Sequence, residues 1–99
     1  MKLVFIFSID EGKQDQLYAL LHKVGAAVFS ESKVKGIYTD LSETPAFFSQ
    51  KNITTDSKLD IVAVTDEQAN QILDAITTLN QSKAEFPIHA YTVDVEKMA

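Results

Sequence analysis

The sequence contains no cysteine and no arginine, and only three glycines and two prolines. The missing cysteine removes disulfides, a thiolate nucleophile and Cys-ligated zinc or iron–sulfur centres. The missing arginine leaves nine lysines as the only fixed cations, scattered along a chain with 14 acidic residues and a net charge of −5. Nucleic-acid backbones and anionic membrane surfaces call for clustered cations, so neither is expected as a partner. Long hydrophobic runs are missing too. The run Leu3-Val4-Phe5-Ile6-Phe7 is far too short to cross a bilayer and lacks the basic front and small-residue cleavage site of a signal peptide. No direct membrane insertion and a cytoplasmic location are the expectations. Neither a Gly-rich phosphate loop nor a Ser/His/Asp arrangement is visible, so an enzyme is not favoured.

What the sequence does contain is the material of a folded domain. Hydrophobic residues make up 45 % and charged residues 23 %, and 99 residues fit a single domain spanning 1–99. A domain this small buries a limited share of its surface, so assembly would add core.

The apolar run at residues 3–7 is continuous, as in a central strand covered on both faces. Residues 8–10 and Glu11 then offer helix-starting chemistry, Leu17, Leu20, Leu21 and Val24 recur at helical spacing, and Gly25 is placed to end the helix. Residues 26–38 read as a second strand, polar in its middle, with one face in water or near a sheet edge. From 39 to about 56 the periodicity disappears. Ordinary connections run roughly 2–6 residues, so a gap of this length predicts a functional or mobile loop. Residues 58–64 resume as a strand, and Thr65-Asp66-Glu67 starts a helix whose face is Ala69, Ile72, Leu73, Ile76 and Leu79. A last strand is expected over 86–95, with Pro87 suiting its start or an edge position. The order β-α-β-loop-β-α-β predicts an α+β, ferredoxin-like fold: a four-stranded antiparallel sheet with two helices on one face.

Three segments carry a resemblance to a known family. Ser32-Lys33-Val34-Lys35-Gly36-Ile37 resembles the T/E-V-K-G-F segment that leads into the long T-loop of PII signalling proteins. Residues 58–67, Lys-Leu-Asp-Ile-Val-Ala-Val-Thr-Asp-Glu, resemble the K-x-x-I-x-x-V-V-P-D-E run after that loop, and residues 88–95 resemble the last PII strand, K-I-F-V-L-P-V-E. The resemblance implies a PII-like homotrimer, a non-enzymatic sensor or adaptor. A ligand at a subunit cleft would bias the loop at 39–56, which would contact an unidentified protein target. The candidate ligand-facing residues are, by position, Lys35, Gly36, Tyr38 and Pro87. The PII segment G-D-G-K, a phosphate cradle, is replaced here by residues 82–87, with Pro87 at the lysine position, and Tyr38 stands where a second loop-base glycine belongs. The family's phosphate-binding arginines have no counterpart. ATP or ADP in the usual PII mode is therefore not expected, and the resemblance identifies no other cofactor.

Other residues admit two readings. His22 and His89, the only histidines, are weak metal candidates, or occupy ordinary environments outside any local ligand pattern. Metal binding there would fit a CutA-like metal-handling protein; a small dimeric ferredoxin-like enzyme would instead need an apolar cavity between sheet and helices. Asp10 and Glu11, like Asp66 and Glu67, suit helix N-termini better than acid–base work. Lys33 and Lys35 share one side of a strand, where they either draw an anion to the loop mouth or are solvated edge lysines. Phe47 and Phe48 follow Thr44-Pro45, a plausible start for a short helical turn. Their rings would dock on this subunit, on a neighbour, or on a partner protein.

Overall fold

The structure, a computed structural model, describes residues 1–9, 14–26, 28–39, 52–81 and 87–99. Four strands and two helices follow in the order β1 (Lys2–Ile9), α1 (Gln14–Lys23), β2 (Ser30–Thr39), β3 (Asn52–Val64), α2 (Asp66–Asn80) and β4 (His89–Asp94). The sheet order is β2-β3-β1-β4, with every neighbouring pair antiparallel. This is the ferredoxin-like arrangement, and both helices cover one face.

Strand periodicity sorts the side chains. Val4, Ile6, Val62 and Val64 face the helices and are buried against Leu17 and Leu21 of α1 and Ala69, Ile72 and Ile76 of α2. The alternate set, Leu3, Phe5, Phe7, Leu59, Ile61, Tyr91 and Val93, lies on the face that neither α1 nor α2 covers. Phe7, Tyr91 and Val93 are 37 %, 58 % and 50 % exposed, and Phe7 meets Tyr91 edge-on with ring centroids 6.1 Å apart. β1 is central, as expected, but neither α1 nor α2 covers its second face.

The helix ends are closed by specific bonds. Gly25 adopts φ +87°, its N–H donates to the His22 carbonyl at 3.0 Å, and the Ala26 N–H reaches back to Leu21 at 2.8 Å. This is a Schellman stop, which needs the left-handed backbone that glycine alone adopts freely. At the start of α2, Thr65 and Gln68 exchange bonds as a capping box. The Gln68 amide also donates from Nε2 to the Val24 carbonyl at 3.1 Å, joining the start of α2 to the end of α1.

Several boundaries differ from the sequence expectation. Ser8 is a buried strand residue, not a helix start; an apolar run flanked by a small polar residue gives no boundary signal. Asp10 and Glu11 lie outside the described residues. β2 begins at Ser30 rather than 26, because Gly25 and Ala26 are consumed by the helix stop. β4 is shorter than expected, at His89–Asp94. The largest correction is to the loop. Asn52 to Asp56 belong to β3 and pair with Thr39 to Lys35 of β2, since polar residues satisfy a solvated ribbon as well as a loop. β1 pairs with β3 only from Ser57 onward, so 35–39 and 52–56 leave the sheet as a two-stranded ribbon. The radius of gyration, 15.6 Å, exceeds the ~13 Å usual for a 100-residue domain.

Candidate functional site

A recess of about 220 Å³ lies where the ribbon departs from the sheet, lined by Phe7, Ser8, Val34, Lys35, Gly36, Ile37 and Ser57. Three strands build it. β1 ends here, so Phe7 and Ser8 meet the two strands that continue beyond it. Gly36 adds only backbone, leaving space beside Lys35. The Ser8 Oγ is buried without a hydrogen-bond partner, while the Ser57 hydroxyl shares a 2.9 Å bond with Thr55. Ile37 is 62 % exposed. Chemically, the recess offers the Lys35 side chain, the Ser57 hydroxyl and backbone groups beside the apolar walls of Phe7, Val34 and Ile37. It suits a small polar or anionic ligand.

Lys35 and Gly36, both expected as ligand-facing, meet here. Tyr38 lies two positions further along the ribbon, in register with Ile53. Pro87 precedes β4, the opposite edge of the sheet from β2, with β3 and β1 between. One chain therefore does not bring all four together. Phe47 and Phe48 lie outside the described residues. His22 is exposed in the last turn of α1 on the helical side, and His89 is exposed on the open face. The two histidines do not meet, and among the described residues no group of three or more His, Asp or Glu side chains is placed to hold a metal.

A second polar cluster sits under α1. Asp60 is 1 % exposed, and among the described residues neither of its carboxylate oxygens meets a donor. Directly across β2–β3 stands Glu31. Glu31 accepts from the Tyr18 hydroxyl at 2.6 Å and pairs with the Lys58 ammonium at 3.5 Å, while the Tyr18 ring stacks on Phe29 at 5.5 Å. Burial raises Asp60 to about 7, assisted by its hydrogen bond with Glu31 and the Glu31 charge. Glu31 is held below its usual range, first by the bond from Asp60 and then by that from Tyr18. The Tyr18 phenol is raised, chiefly because it donates to Glu31.

Sequence reasoning did not find Ser8, Ser57 or the Tyr18–Glu31–Lys58–Asp60 cluster. A signal for Asp60 was present: it is an acidic residue inside the run Leu59-Asp60-Ile61-Val62, where a buried strand is otherwise apolar. Glu31 carries no such mark, because its partner is set by strand register.

No family model and no curated protein matches this sequence. Solved structures do match. The Bacillus subtilis GlnK–ATP complex superposes with a TM-score of 0.67 at 16 % identity, over 93 % of this chain and 80 % of that one. The periplasmic divalent cation tolerance protein CutA of Archaeoglobus fulgidus gives 0.71 at 14 % identity, over 100 % and 88 %. A PII-like signalling protein of Thermus thermophilus gives 0.62 at 19 % identity, over 95 % and 84 %. At these identities the likeness is one of fold: the chain has the ferredoxin-like fold shared by PII and CutA proteins.

Proposed function

We propose that this chain is one subunit of a PII-like trimer, a non-enzymatic sensor that binds a small ligand at the root of the β2–β3 ribbon and signals through the segment beyond it. The observation that carries this reading is the recess itself. It brings Lys35 and Gly36 together with Phe7, Ser8 and Ser57, at the point where any ligand would touch both the sheet and the ribbon. Such a ligand changes the ribbon's setting by binding one arrangement better than another.

Assembly completes the site in this reading. The open sheet face carries Phe5, Phe7, Ile61, Tyr91 and Val93, an apolar surface suited to other copies of the chain. Lys35 lies toward one sheet edge and Pro87 toward the other, so neighbouring subunits would bring the two into one cleft. A cytoplasmic setting and a protein target belong to the same proposal.

Light scattering on the purified protein should give a trimer, and Tyr91→Glu should dissociate it by placing a charge in the shared face. A wild-type dimer or monomer would count heavily against the reading. Calorimetric titration with small anions, nucleotides and divalent cations should find one class whose affinity drops at least about tenfold in Lys35→Glu, as expected for reversing a contacting charge. Ligand binding indifferent to Lys35 would move the site elsewhere. Tight divalent-cation binding lost with His89→Ala would favour a CutA-like metal-handling protein.

A further inference from the structure

We propose that Asp60 and Glu31 hold one shared proton at neutral pH, and that its gain or loss sets how firmly the Ser30 end of edge strand β2 is clamped to β3. The proposal goes beyond the ligand site and does not depend on it.

The geometry is that of a carboxyl pair with one missing donor. Glu31, Asp60, Ile6 and Ala90 form a single cross-strand row on the helix-facing side of the sheet. Asp60 occupies an interior place in that row and is shut off from water. An ionised carboxylate there would need donors, yet neither oxygen has one. The group across from it is another carboxyl. Only a proton reconciles them, because two carboxylates cannot bond to each other without one. With the proton on Asp60, its hydroxyl donates to Glu31, whose carboxylate also receives the Tyr18 hydroxyl and the Lys58 ammonium. Three strengthened bonds then converge on one side chain of β2.

Among the described residues, few other groups can compensate when the proton leaves. β1 and β4 bring Ile6 and Ala90 to the row, and α2 turns Ala69, Ile72 and Ile76 inward. α1 contributes Tyr18, already committed to Glu31, and Lys58 is shared between the two acids. Lys33, opposite Lys58 in the ladder, is exposed. Loss of the proton therefore sets two anions face to face at the root of a strand that, among the described strands, has β3 as its single neighbour. The burial that raises Asp60 to about 7 places this event in the physiological range.

The test is a carboxyl-carbon NMR titration of the full chain, together with amide hydrogen exchange of residues 30–33 corrected for intrinsic rates. We expect the Asp60 carbon to titrate near neutrality, its midpoint to fall in Glu31→Gln, and the β2 amides to open on the order of tenfold more readily at pH 8.5 than at pH 6. Asp60→Asn, which keeps a neutral donor, should abolish that difference. A wild-type Asp60 carbon titrating in the ordinary carboxylate range overturns the proposal, and that measurement requires no variant to fold. So does an Asp60→Asn protein that keeps the pH dependence, or an Asp60 midpoint indifferent to Glu31→Gln.

Discussion

Gln68 makes bonds at two helix ends with one amide. Its Oε1 accepts from the Thr65 N–H at 3.0 Å, its backbone N–H is capped by Thr65 Oγ1 at 3.1 Å, and its Nε2 satisfies the Val24 carbonyl. Gln68→Glu keeps an acceptor for the cap but loses the donor to Val24 and sets a carboxylate against a carbonyl. Its stability in urea should fall by about 1–3 kcal/mol, the cost of leaving a part-buried polar group unpaired. An unchanged midpoint would show that the tie to α1 contributes nothing. Asn80 works in the same way across the α2–β4 connection, donating to the Ile88 carbonyl and accepting the Ile88 N–H, both at 2.9 Å. That side chain substitutes for a strand partner at the point where β4 begins. Asn80→Ala should cost a similar amount, read from the same urea curves.

Elements were legible from the sequence where one physical signal dominated. The stripes Leu17, Leu20, Leu21, Val24 and Ala69, Ile72, Ile76 announce their helices, and Gly25 announces the stop, because each has a single physical explanation. The ribbon was not legible. Its strands set isolated apolar residues, Ile37 and Ile53, among polar ones, so Asn52 to Asp56 resemble a loop until the register with β2 is known. The site was half legible for the same reason. Lys35 and Gly36 could be singled out in their own strand, whereas Ser8 and Ser57 reach the recess only through pairing. A two-stranded ribbon is marginal by itself. Its backbone amides beyond Ser57 should therefore exchange faster than those of β1 in dilute, dissociated protein and slow down on assembly. Equal protection at all concentrations would mean the ribbon needs no neighbour.

At the scale of the whole molecule, stability should depend on pH in an inverted sense for an acidic protein. Asp60 binds its proton more tightly folded, with a value near 7, than unfolded, where it is an ordinary carboxylate near 3.8. Stability contributed by this group therefore falls as pH rises from about 4 to about 7 and is level above that. Glu31, held low, acts in the opposite direction only in more acidic solution, below its ordinary value of 4.5. Thermal unfolding should give a higher midpoint at pH 5.5 than at pH 8, with Asp60→Asn flattening the difference. A wild-type midpoint that rises over this interval would contradict the assignment. The ribbon gives the molecule one further property, mechanical advantage. Five residues of each strand beyond the sheet extend roughly 17 Å at ~3.4 Å per residue. A turn of about 10° at the recess would then sweep the Thr39–Asn52 rung through about 3 Å, while the recess walls move by fractions of an ångström. In the proposed function, a ligand too small to reach a target directly would still be read by it, because a slight rotation at the fulcrum would become a displacement as wide as an atom.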